Sequence, residues 1–157
     1  MSAHKWSRKG ATVSVIATLL VGIALTFNIL GHQPTPFEKT SKWMFSATLT
    51  AFIAEANNPG HDSKLDCNSD KCSAPVLGSA GKTYDFTDAC RRHDFGYRNF
   101  GRIDGGKKWT KVLRERVDRR FLTDMRDSCA ARKKLERAAC RTWADLYYTA
   151  VRQYGGP

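Results

Sequence analysis

The sequence predicts a mainly α-helical fold: a small, disulfide-stapled helical domain with two long antiparallel helices and a long polar loop. Three observations carry that expectation. Apolar residues recur at three- and four-residue intervals over most of the chain after residue 36. Alternation with a period of two, the mark of a half-buried strand, is scarce. Five cysteines, Cys67, Cys72, Cys90, Cys129 and Cys140, are dense for a domain of this size, and small exported domains use disulfides where the core is thin. No C-x-x-C occurs, so a zinc site is poorly supported. Five is odd, which leaves one cysteine over.

Residues 1–32 read as a targeting segment. Lys5, Arg8 and Lys9 precede an uncharged run over residues 11–30, which suits either a cleaved signal peptide or an N-terminal membrane anchor. Both place residues 33–157, the expected folded domain, in an oxidising compartment outside the cytoplasm. A Gly/Pro linker covers residues 31–36. Residues 36–56 then carry Phe37, Trp43, Met44, Ala47, Phe52 and Ile53 at helical intervals, and Asn57-Asn58-Pro59-Gly60 ends that helix. Residues 60–82 form a polar loop, and a loop of that length is functional or disulfide-pinned.

Thr83 or Thr87 can cap the next helix, with Asp88 in its first turn; it runs to about residue 100 and stops at Gly101, Gly105 and Gly106. Residues 108–129 form a third helix with Trp109, Leu113, Val117, Phe121 and Met125 at four-residue steps. Residues 135–153 form the last, with Leu135, Ala139, Trp143, Leu146, Tyr147 and Val151 along one side. The formal net charge of the chain is +11, and residues 33–157 retain +8 once Lys5, Arg8 and Lys9 are set aside. Such an excess suits an anionic partner, either a phospholipid surface or nucleic acid.

The informative stretch is Asp88-Ala89-Cys90-Arg91-Arg92-His93-Asp94-Phe95-Gly96-Tyr97-Arg98-Asn99-Phe100. On a helix, His93 shares a face with Phe86, Ala89, Cys90, Tyr97 and Phe100, surroundings that favour a neutral imidazole able to act as a base. A core histidine satisfied by a neighbour is the plainer reading of such a position. Asp94 weighs against it, because a carboxylate about 100° further round the helix separates a base from a cation ligand. Asp118 weighs against it too. It lies on the arc of the next helix that holds Phe121, where carboxylates are rare unless paired. An antiparallel partner helix brings such a carboxylate against the imidazole, whose tautomer it then fixes; an ion pair with Arg114 or Arg119 is the alternative.

Cys90-Arg91-Arg92-His93-Asp94-Phe95-Gly96-Tyr97-Arg98-Asn99 closely resembles the C-x-R-H-D-F-G-Y-R-N signature of the secreted bacterial and fungal phospholipases A2. The resemblance covers about residues 66–154. Asp70-Lys71-Cys72-Ser73 resembles the family's calcium loop, Arg116-Val117-Asp118 with Phe121 and Asp124-Met125 its second carboxylate, and Cys129 and Cys140 its late cysteine pair. The resemblance implies His93 and Asp118 as the catalytic pair, with Tyr97 in support. It implies Ca2+ held by Asp70, the Lys71 carbonyl and Asp94, and disulfides Cys72–Cys90 and Cys129–Cys140. The implied activity is calcium-dependent hydrolysis of the sn-2 ester of glycerophospholipids.

The sequence departs from the family at three points. Lys71 stands where a small or apolar residue is usual, and its ammonium lowers calcium affinity. Asp66-Cys67 is a second Asp-Cys pair, although Ser73 and the spacing to Cys90 favour Asp70. The aromatic-rich stretch between loop and helix is reduced to Val76, Leu77, Tyr84 and Phe86. Trp43, Phe45, Phe52, Trp109 and Phe121 are candidates for an acyl-chain groove or for plain core. Arg91, Arg92, Lys107, Lys108, Lys111, Arg132, Lys133 and Lys134 either attract an anionic bilayer or form a solvated face. A non-enzymatic cationic membrane binder on the same scaffold is the competing function. No nucleic-acid partner is expected, since no zinc-finger or RNP-type sequence is present, and the expected state is a monomer.

Overall fold

Three threonines set where helices begin. Thr35 accepts a hydrogen bond from the Glu38 amide at 3.2 Å, and the Glu38 carboxylate returns one to the Thr35 amide at 2.8 Å, closing a capping box. Thr48 and Thr110 cap through the amides of Ala51 and Leu113. The computed structural model describes residues 33–72 and 84–155, and no strand occurs among them. The expected targeting segment lies outside those residues, as do Ser73, Val76, Leu77 and Thr83. No helix among the described residues is long and apolar enough to cross a membrane.

The helices run in the order α1 (Pro36–Ser41), α2 (Leu49–Ala56), α3 (Thr87–Arg102), α4 (Lys111–Ser128) and α5 (Lys134–Tyr154). A π-helical turn, Lys42–Ser46, continues α1, and the chain then turns extended at Ala47. The single helix expected over residues 36–56 is therefore two, because the Thr48 cap starts a second. The helix bearing His93 begins at Thr87 with no side-chain cap. Instead, Asp85 accepts from the Thr87 amide at 2.9 Å. At the far end of α3, Asp104, Gly105 and Gly106 all take positive φ and turn the chain back into α4.

The expected pair of long antiparallel helices is α4 and α5. Arg114 near the start of α4 reaches the carbonyls of Val151 and Arg152 at the end of α5. Arg126, near the end of α4, pairs with Asp145 at 2.7 Å, and Cys129–Cys140 closes the turn between the two helices. The four-residue steps of α4 bury Val117, Phe121 and Met125 as expected. On α5 the buried face is Cys140, Ala144 and Tyr147. Leu135 and Leu146, expected on that face, are exposed, because at about 100° per residue they lie roughly 120–140° round the helix from the Cys140, Ala144 and Tyr147 stripe.

Helix α3 packs antiparallel against α4 as well. Gly96 makes the approach possible: a Cβ there would stand 2.8 Å from Met44 Sδ and 2.9 Å from Val117 Cγ1. Arg92, expected at a membrane-facing or solvated surface, is instead wholly buried. It forms a two-pronged ion pair with Asp124 and donates to the Ala47 carbonyl at 2.8 Å. A guanidinium can be buried only when its donors are used, and here they tie α3, α4 and the turn before α2 together.

Candidate active site

His93 lies midway along α3, 8% exposed, its ring 4.6 Å from that of Phe121 and 4.4 Å from that of Tyr97. Its Nε2 is 2.8 Å from Asp118 Oδ1. Asp118 is fully buried on α4, and the same oxygen accepts from the Tyr97 hydroxyl at 2.8 Å. Its other oxygen, Oδ2, accepts from Arg152 Nη1 at 2.8 Å. Burial works against the Asp118 charge, yet the hydrogen bonds from His93 and Arg152 hold its carboxyl below the usual carboxylate range. Asp118 is therefore an acceptor at both oxygens, and Nε2 must carry the proton it shares with Oδ1. The His93 Nδ1 atom has no hydrogen-bond partner among the described residues and is left as the acceptor.

Tyr97, one turn beyond His93, is held as a donor. Burial and the adjacent Asp118 carboxylate push its phenol well above the usual value. Arg114 Nε donates to the Tyr97 oxygen at 3.2 Å, so Arg114 and Arg152 close a ring around the carboxylate. Of the two arginines expected as alternative partners for Asp118, Arg114 stands 3.7 Å from Oδ2. Arg119 turns outward to Glu115. Arg152 was not expected at all. Its position in the last turn of α5 is the only sequence signal, and that signal also fits a helix-end cation.

Asp94, adjacent in sequence, points away from the imidazole toward the loop. Ser69 Oγ donates to Asp94 Oδ2 at 2.5 Å. Burial pushes the Asp94 carboxyl up to about 7, the Ser69 hydroxyl opposes that shift, and the neighbouring Asp70 carboxylate adds to it. Asp70 also stands 3.8 Å from Arg98. Lys71 holds a φ of 64°, in the left-handed region, and its amide donates to Ser69 Oγ at 2.9 Å. Among the described residues, no three His, Cys, Asp or Glu side chains converge into a cage. What converges is two carboxylates and a strained stretch of backbone.

Two further attachments fix the loop that carries Asp70. Cys72–Cys90 joins its end to α3. Asn99 grips its middle, accepting from the Asp66 amide and donating to the Asp66 carbonyl, each at 2.9 Å. Asn99 closes the signature stretch in the sequence, where no role had been given to it. The Asp66 side chain is used within the loop, on the Asn68 amide at 3.0 Å and near Arg102 at 3.4 Å. Cys67 is the free cysteine, half-buried against the cluster of Phe52, Leu65 and Phe95.

A small helical domain stapled by two disulfides, with a buried imidazole held by a carboxylate from the neighbouring helix, is the class of protein this site defines. Residues 40–155 match the family model described as prokaryotic phospholipase A2. The chain belongs to that family and is a phospholipase A2 enzyme, a hydrolase of lipids. It is 36% identical over 119 residues to a secretory phospholipase A2 of Arthroderma benhamiae, covering 74% of this chain and 76% of that protein. It is 35% identical over 138 residues to a secretory phospholipase A2 of Beauveria bassiana, covering 88% of this chain and 68% of that one.

Proposed function

We propose that this enzyme hydrolyses the sn-2 ester of glycerophospholipids in a calcium-dependent reaction, with His93 as the base and Asp118 as its orienting partner. The observation that carries this is the 2.8 Å contact between His93 Nε2 and the buried Asp118 Oδ1, which leaves Nδ1 as the acceptor. Nδ1 takes a proton from water as the water oxygen bonds to the ester carbonyl carbon. Asp118 stabilises the imidazolium through the far nitrogen. The proton then passes to the departing oxygen of the lysophospholipid, and the fatty acid is released. No acyl-enzyme is required.

The residues beside His93 fit calcium, a hard cation that takes oxygen ligands in irregular geometry. Asp70, the Lys71 carbonyl and Asp94 would hold it. The Asp70 carboxylate adds to the raised proton affinity of Asp94, and a cation in the same place would relieve it. Bound calcium supplies positive charge for the substrate phosphate and for the oxyanion that develops in the transition state. The Lys71 ammonium works against affinity at this site.

The net charge suits an anionic phospholipid surface as the partner. Phe121 lies beside the imidazole but is buried as core. Phe45 stacks on Phe100, Phe52 packs tilted against Phe95 and Trp109 meets Tyr97 edge-on, so these rings pack with the core as well. Two disulfides and the secretory relatives support export.

The test is fatty-acid release from sn-2-labelled phosphatidylcholine and phosphatidylglycerol vesicles, with calcium, with excess chelator, and with His93→Ala. Release that needs calcium and disappears in the variant is the expected result. Release that persists in His93→Ala, or in chelator, would overturn the reading.

A further inference from the structure

We propose that Arg152 is a positioning residue for the hydrolysis, holding the Asp118 carboxylate in the orientation that keeps Oδ1 on His93. This rests on the reading of His93 as the base. Asp118 has two oxygens and serves three side-chain donors. His93 and Tyr97 share Oδ1, and among the described residues Arg152 alone makes a hydrogen bond to Oδ2, at 2.8 Å. Arg114, the other cation near Oδ2, is 3.7 Å away and spends its guanidinium elsewhere. Without Arg152, the carboxylate has one oxygen bearing two donors and one bearing none. It then gains by rotating toward Arg114, and that rotation removes Oδ1 from the imidazole.

Arg152 is itself held in place. Arg114 Nη2 donates to the carbonyls of Val151 at 3.2 Å and Arg152 at 2.7 Å, in the last turn of α5, where helix carbonyls lack full partners. Arg114 Nε reaches the Tyr97 hydroxyl at 3.2 Å. The circuit runs from Tyr97 to Asp118, to Arg152, through its backbone to Arg114, and back to Tyr97. Gly155 closes against it: a Cβ there would stand 3.0 Å from the Tyr97 oxygen. An ordinary helix-end ion pair contributes little. This one differs because the Asp118 end is wholly buried, although the Arg152 side chain is 32% exposed.

The experiment compares the full chain with Arg152→Gln and Arg152→Lys. It reads kcat and KM on the same labelled vesicles, calcium Kd by calorimetry, and the proton resonance of the His93 Nε2–H shared with Asp118. Arg152→Gln is expected to lower kcat by about 10- to 100-fold, with KM and calcium Kd within about twofold of the parent, and to move the resonance. Arg152→Lys keeps the charge but loses the planar fork, so it falls between the two. An Arg152→Gln kcat within about twofold of the parent would overturn the proposal, as would a loss matched by KM with the resonance unmoved. Should Arg152→Gln not fold, Arg152→Lys decides: a few-fold lower kcat with a moved resonance supports the proposal, and parent values of both overturn it. A parent without calcium-dependent release would overturn the base reading and this one together. A normal parent, an inactive His93→Ala and an unaffected Arg152→Gln would overturn this one alone.

Discussion

Asp118 is a carboxylate with no solvent and three donors, two of them one turn apart on α3 and the third at the end of α5. Its charge is what lets all three donate at once. Asp118→Asn keeps the shape but turns one oxygen into a donor that must face His93, Tyr97 or Arg152. The expected result is a fall in kcat on the order of 10^3- to 10^4-fold, as when a base is left in the wrong tautomer. A second readout follows from the depressed pKa of this group. Its contribution to stability is present above the unfolded value, near pH 3.9, and is lost as pH falls through the lower folded value. Urea midpoints between pH 6 and pH 3 should therefore fall less steeply in Asp118→Asn than in the parent. Equal slopes would mean that the ring of donors contributes nothing to holding the carboxylate ionised.

At the scale of the helices, α3 and α4 can hold His93 against Asp118 only because Gly96 has no side chain. Gly96→Ala drives a Cβ into Met44 Sδ and Val117 Cγ1. Overpacking of this kind costs about 1–3 kcal/mol. Met44 is flexible and can move, whereas Val117 is β-branched, fully buried and directly precedes Asp118. Val117→Ala in the Gly96→Ala background should return part of the lost stability in chemical denaturation. No recovery would place the clash on Met44. These helices were legible in the sequence because each has an apolar period, and α4 shows Val117, Phe121 and Met125 at steps of four. His93, Asp118 and both disulfides were legible because a motif carried them. Pairings between elements were not. Arg92 with Asp124 and Arg152 with Asp118 join residues 32 and 34 positions apart, and neither leaves a local periodic trace. The break before Thr48 was open to reading, since a threonine opening an apolar run is a cap signal.

Across the whole molecule, the formal charge of +11 is a long-range property that no single contact uses up. The inward arginines, Arg92 and Arg114 above all, are committed to carboxylates and carbonyls. The proposed attraction to an anionic surface then falls to exposed cations such as Lys107, Lys108 and Lys111. Co-sedimentation of His93→Ala with phosphatidylglycerol vesicles should weaken steeply as salt rises from about 50 to 500 mM, since the screening length shrinks to a few ångströms over that range. Binding to phosphatidylcholine should be weaker and nearly indifferent to salt. Equal, salt-independent binding to both lipids would assign attachment to apolar contacts such as Val112, which is largely exposed.

The Cys72–Cys90 bond fastens the end of the Asp70 loop to the His93 helix. A cell that makes a lipid-cleaving enzyme also houses membranes that the enzyme can digest. In the reducing cytosol those two sulfurs stay as thiols, and the stretch bearing Asp70 and Lys71 keeps the Asn99 grip on Asp66 and the Ser69 bond to Asp94 but loses its covalent tether at the far end. On the proposed reading, in which Asp70, Lys71 and Asp94 would hold calcium, the two halves of that centre would be locked together only after the chain has left the place where it could do harm. On that reading the staple would double as a safety catch, released by the chemistry of the destination and not by a separate inhibitor.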